Sequence, residues 1–197
     1  MTPSDKGRVC GLKATAGMRA LPGSVIPSDS TEKELSVTYR IAGLPREAFE
    51  HYFALNSREL EGAGARRVIA DADRGFPCRV SLEDARQGES LILLNFTSHD
   101  VPNPFRTAYA IYVREQAVQP RPWIDRLPPV LAGRSLSLRG FDVQGMLIDA
   151  RLTAPGEAEE GIFDLFGNAR ISCIHAHNAA YGCFAARIER DGDGMWN

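Results

Sequence analysis

Ile174-His175-Ala176-His177-Asn178-Ala179-Ala180-Tyr181-Gly182-Cys183-Phe184 holds two of the chain's four histidines and one of its four cysteines. Its Ala-Ala-Tyr-Gly centre reads as a turn between two strands. Side chains two apart on a strand share a face. His175 and His177 therefore project side by side, and Cys183 returns on the partner strand. Two registers are open. A regular two-residue turn sets Asn178 opposite Cys183, His177 opposite Phe184 and His175 opposite Ala186. A bulge at Gly182 slips the pairing by one, so that His177 faces Cys183 and Cys173 faces Arg187. Only the second register makes a direct cross-strand cysteine–histidine pair.

Outward from this C-terminal β-hairpin (169–178 and 183–190), the chain is rich in strands. Residues 35–41 alternate apolar and polar side chains, and 66–70, 90–97, 107–113, 135–141 and 146–152 are strand-like too. Leu91-Ile92-Leu93-Leu94 reads as buried on both faces. Helical patterns cover 46–55, 58–61 and 156–166, the first opened by Pro45 and the second capped by Asn56 or Ser57. Residues 119–129 hold four prolines and Trp123 and read as an irregular excursion. The strands follow one another without helical crossovers, which excludes a doubly wound parallel sheet. The expected class is α+β: a mostly antiparallel sheet of about seven strands with two main helices. The domain spans 35–190, behind a flexible tail at 1–34 and before a short tail at 191–197.

With 197 residues, 44% of them hydrophobic and 24% charged, the chain has the make-up of one globular domain that needs no disulfide or metal staple. A net charge of -2 offers no electrostatic footprint for nucleic acid. No apolar run nears the ~20 residues that span a bilayer, and residues 1–31 lack the apolar core of a secretory signal. Cys10, Cys78, Cys173 and Cys183 follow no paired spacing, so reduced thiols in a cytoplasmic protein are expected. No cofactor is implied, and a homo-oligomer stays open.

Several segments carry a family resemblance. They are Gly43-Leu44-Pro45, Ala65-Arg66-Arg67-Val68, the run from Gly75 to Ala85, Ser137-Leu138-Arg139, Asp149-Ala150, His175-Ala176-His177-Asn178-Ala179 and the run from Gly182 to Arg187. In this order they resemble the bacterial domain of unknown function family 1203, over roughly residues 37–190. The resemblance supports the domain boundary and the choice of residues, and it implies no mechanism. Cys173 stands where the family resemblance implies an aromatic residue.

Three chemistries compete at the hairpin. A nucleophilic thiol needs a base or a positive field. Cys183 lies near the histidines and Cys78 adjoins Arg79, the distant segment expected beside the hairpin. In this catalytic reading a cysteine attacks, His175 or His177 is the base, and Asn178 orients the imidazole or donates to an oxyanion. Both cysteines read as well as small buried hydrophobes. A His-x-His metal site would take its third ligand from a cysteine, Asp142 or Asp149. Finally, Arg79, Arg106, Arg139 and Arg187 sit in or beside strands, and their convergence would bind a small anionic ligand two-pointedly. The competing account is a set of surface salt bridges. A different class, a non-catalytic module pairing through its sheet, also fits.

Overall fold

Strands carry the architecture, and among the described residues one helix exceeds two turns. The computed structural model describes residues 38–192. The tail expected at 1–34, with Cys10, the first residues of the strand expected at 35–41 and the end of the tail at 191–197 lie outside the described residues. Strand β1 is Tyr39–Ala42. A 3-10 turn, Arg46–Ala48, and two short helices follow, α1 Glu50–Phe53 and α2 Ser57–Gly62. Then come β2 Arg66–Ile69, β3 Ser90–His99, β4 Thr107–Arg114, β5 Trp123–Ile124, β6 Leu136–Phe141 and β7 Leu147–Thr153. Helix α3, Ala158–Phe166, precedes the hairpin strands β8 Cys173–Asn178 and β9 Phe184–Arg190. The α+β class with antiparallel pairing holds.

The strands divide between two sheets rather than one. Six form the order β5-β1-β9-β8-β6-β7, and three form β2-β3-β4. The segment expected as a helix over 46–55 breaks into the 3-10 turn and the four-residue α1. Neither piece has a side-chain cap, and Phe49 leaves the helix period to bury itself at 2% exposure. By contrast α2 holds, because Asn56 and Glu59 cap each other's backbone N–H groups. The excursion at 119–129 contributes the two-residue β5, which pairs with β1. No described helix is long and apolar enough to cross a membrane.

Alternation gives the six-stranded sheet two unlike faces. Ile174 and Ala176 of β8, Leu138 of β6 and Ile188 of β9 join Ile162, Leu165 and Phe166 of α3 in one core. Gly161 lets α3 settle there, since a Cβ would lie 2.7 Å from Thr153 Cγ2 and 2.9 Å from Leu138 Cδ1. On the other face, Arg139, His175 and Arg187 stand directly opposite one another across β6, β8 and β9. Ser137, His177 and Phe184 form the next row. A separate core joins α1 and α2 to the small sheet through Phe49, Leu60, Cys78, Ile92, Leu94, Ile111 and Val113.

The segment around Arg79 is a tight turn rather than a strand. Leu82 sits at φ 56°, a sparsely allowed conformation for a branched residue. Cys78 carbonyl accepts from Leu82 N–H at 3.1 Å, and Leu82 carbonyl accepts from Val130 N–H at 3.0 Å. Gly43 fixes the turn from below. A Cβ there would lie 1.8 Å from the Val80 carbonyl oxygen, so only glycine lets Leu44 N–H reach the Arg79 carbonyl at 2.8 Å.

Candidate functional site

The hairpin follows neither expected register throughout. His177 pairs with Phe184, as a regular turn requires, and Asn178 N–H donates to the Cys183 carbonyl at 3.0 Å. The pairing then shifts between Ala176 and His177, which places His175 opposite Arg187 instead of Ala186. The irregularity thus falls at Ala185, not at Gly182, and slips the strands the other way. The loop itself closes with Gly182 N–H donating to the Asn178 carbonyl at 2.8 Å, with Gly182 at φ 71°. Among the described residues no hydrogen bond joins Cys183 to a histidine, so the direct pair of the bulged register is not formed.

His175 is 1% exposed, and neither ring nitrogen has a partner. Its surroundings are rings: His99 at 5.0 Å, Phe141 at 5.0 Å and Phe184 at 5.3 Å between centroids. Burial, then the charges of Arg187, His99, His177 and Arg139, push its pKa down to about 3. His177 Nδ1 donates to the Gly182 carbonyl at 3.1 Å, and its ring meets Tyr109 at 4.9 Å. Burial first, then Arg139, lower its pKa to about 4, against the opposing pull of the Gly182 carbonyl. Both imidazoles are therefore neutral at pH 7. Three of the chain's four histidines gather here, since His99 arrives from β3 with Nε2 donating to the Gly145 carbonyl at 2.9 Å.

Arg79 reaches the same hairpin from its turn. It covers the β9 backbone just beyond the point where β1 stops pairing, at Ala42 opposite Arg187. Its Nε donates to the Phe184 carbonyl at 2.7 Å, its Nη1 donates to the Pro77 carbonyl, and its Nη2 lies 3.5 Å from Cys183 Sγ. The guanidinium is 2% exposed and forms no ion pair with a carboxylate among the described residues. Burial lowers its pKa, while Cys183 and then Cys78 oppose that shift. A buried charge with no counter-charge is costly. Cys183 is half-buried and free, with its sulfur beside this guanidinium.

The other candidates scatter. Cys78 is fully buried, with Sγ accepting from Arg114 N–H at 3.3 Å and Ser81 N–H at 3.5 Å; it belongs to the second core. Cys173 is buried beside Phe141 on β6, and burial pushes its thiol up. Asn178 does not orient an imidazole. Its Oδ1 accepts from Ala180 and Tyr181 N–H at 3.1 Å each, capping the hairpin turn. Arg106 is exposed and paired with Asp100 at 2.8 Å. Arg187 shares the histidine row but is exposed and paired with Glu189 at 2.9 Å. Arg139 faces His175 and donates from Nη1 to the Tyr109 hydroxyl at 2.8 Å. Among the described residues, no group of three or more His, Cys, Asp or Glu is gathered to hold a metal ion. The His-x-His pair therefore finds no third ligand in Asp142, Asp149 or a cysteine.

A family model described as protein of unknown function (DUF1203) matches residues 75–190. The chain belongs to this DUF1203 family. The matched span opens just before the Arg79 turn and closes with β9. It contains Arg79, His99, Tyr109, Arg139, His175, His177 and Cys183, and it leaves out β1, α1, α2 and β2. Comparison with curated proteins and with solved structures found no match.

Phe184 lies opposite His177, as the regular turn sets it, whereas His99 and Tyr109 are neighbours of the histidine pair that the sequence did not mark. Tyr109 was open to inference, since it alternates with the buried Ile111 and Val113 on β4. His99 lies past an irregularity between Thr97 and His99 that ends regular alternation, so no local pattern marks its face.

Proposed function

We propose that this protein is a small-molecule enzyme whose nucleophile is Cys183, held in the field of Arg79, and whose substrate carries an anionic group. One observation carries the reading: a buried guanidinium with no carboxylate partner among the described residues sits 3.5 Å from a half-buried free thiol. A cation beside a partly exposed sulfur is the environment that reactive cysteines use. The histidines take a different part from the one expected of a base. Both are held neutral far below the pH range in which a general base works best, and neither is bonded to the sulfur. They line the substrate side rather than activate the thiol. That side is positively charged, because Arg79 and Arg139 lie near His177, and Arg187 and Arg139 lie near His175.

A second reading is supported by the same neutral histidines: a ligand-binding protein without catalysis, in which Arg79 only satisfies the open backbone of β9. Competitive alkylation of the intact protein at neutral pH separates the two. The enzyme reading expects Cys183 to react at least tenfold faster than the cysteines of the urea-unfolded chain, and expects Arg79→Lys to reduce that advantage. Reaction no faster than in the unfolded chain would leave the binding reading alone.

A further inference from the structure

We infer that Arg139, Tyr109 and His175 form a subsite for a single organic carboxylate. This deepens the reading of an anionic substrate and rests on it only for the link to Cys183.

Charge accounting selects Arg139. Among the four arginines expected to bind an anion, Arg106 is neutralised by Asp100 and Arg187 by Glu189. Arg79 spends its donors on Phe184, Pro77 and the Cys183 sulfur. Arg139 makes one hydrogen bond, to Tyr109, and no ion pair among the described residues. A guanidinium has five N–H donors in a planar fork. Most of those on this half-buried side chain are uncommitted.

The neighbours complete the site. Tyr109 accepts from Arg139, which leaves its own hydroxyl proton free to donate. His175 stands directly opposite Arg139 on the adjoining strand, 1% exposed with both nitrogens unpartnered. A buried polar group of this kind calls for a partner, and the described residues supply none. As a neutral ring it has one N–H to give. Phe141 and Phe184 wall the row with apolar surface.

These features define the ligand class. Arg139, the one of the four arginines with no ion pair and most of its donors uncommitted among the described residues, matches one negative charge. The planar fork matches a carboxylate in two-point fashion. The aromatic walls suit an organic remainder over a hydrated inorganic ion. A dianionic phosphate would leave a charge uncompensated between neutral imidazoles.

Calorimetric titration of the full chain at neutral pH tests the site with propionate, its neutral isostere propionamide, and inorganic phosphate. Saturable propionate binding is expected, with propionamide and phosphate at least tenfold weaker. Arg139→Gln should weaken propionate at least tenfold. Arg139→Lys, which keeps the charge but not the fork, should fall between. Circular dichroism of both variants guards against misfolding, and Tyr109→Phe gives an independent arm that should cost several-fold. Absent propionate binding, equal binding of phosphate, or unchanged affinity in folded Arg139→Gln overturns the subsite. Slow alkylation of Cys183 together with Arg139-dependent propionate binding would instead remove the thiol reading and leave the subsite standing.

Discussion

Strand β8 shows two environments within six residues. Ile174 and Ala176 look toward α3 and join its apolar side chains in one core. His175 and His177 look the other way and meet arginines, aromatic rings and each other. Both faces are buried to the same degree, so burial alone does not distinguish them. The difference lies in what burial does. On the α3 side it removes apolar surface from water, which stabilises the fold by about 25 cal/mol per Å². On the histidine side it strips solvent from groups that want partners, which opposes stability. A surface assembled against stability in this way is where function is best sought.

The sharpest way to break the comparison is to truncate each face. Ile174→Ala should cost about 2–5 kcal/mol, because a fully buried side chain in a close-packed core leaves a cavity. His175→Phe should cost little or stabilise by about 1 kcal/mol, because it removes two unpartnered nitrogens and keeps a ring in place. Urea unfolding of the two variants decides the matter. Equal losses would mean that the faces are energetically alike.

Acid should act on one face only. His175 and His177 have folded pKa values lowered to about 3 and about 4, whereas the unfolded chain takes up protons near pH 6.5. Their neutral burial therefore costs no protonation energy above that pH. As pH falls from 6.5 toward 4 and then 3, the unfolded state binds protons that the folded state refuses. Each histidine then lowers stability by up to about 1.4 kcal/mol per pH unit. Unfolding free energies measured between pH 7 and pH 4 should fall steeply in the wild type and less steeply in His175→Phe. Parallel slopes would show that a counter-charge reaches this face after all.

The smallest effect is expected where an arginine already has its partner. Arg106→Ala removes an exposed pair with Asp100 and should change stability by less than about 1 kcal/mol. It should also leave propionate binding unchanged, in contrast to Arg139→Gln. A large loss of binding in Arg106→Ala would bring back the convergence of all four arginines.

Period-2 alternation made most strands and the hairpin readable from the sequence, because each strand pairs against a buried face that punishes a slip. The bulge at Ala185 was not readable. It lies where the pairing shifts between Ala176 and His177, not at a turn residue, and the glycine that looked responsible serves the loop instead. The turn carrying Arg79 hid for a similar reason. Its conformation depends on Gly43 far away in the chain, which read simply as the end of a strand. At the site, Arg139 stands opposite His175 and Arg79 reaches Cys183, but the expected cysteine–histidine pairing does not form. Cys183 keeps company with an arginine rather than a histidine, and Asn178 works for the turn. Residue types mark capable side chains, whereas register and remote turns decide which of them touch.

The proposed reactivity of Cys183 rests on the field of the buried Arg79 guanidinium, which forms no ion pair among the described residues. Charge preference in alkylation tests it most directly. The rate of Cys183 modification by anionic iodoacetate, divided by that for neutral iodoacetamide, should be several-fold higher in the folded protein than in the urea-unfolded chain. The advantage should disappear in Arg79→Gln that remains folded. A ratio equal to or below that of the unfolded chain would contradict the account, because Arg79 would then exert no pull at the sulfur.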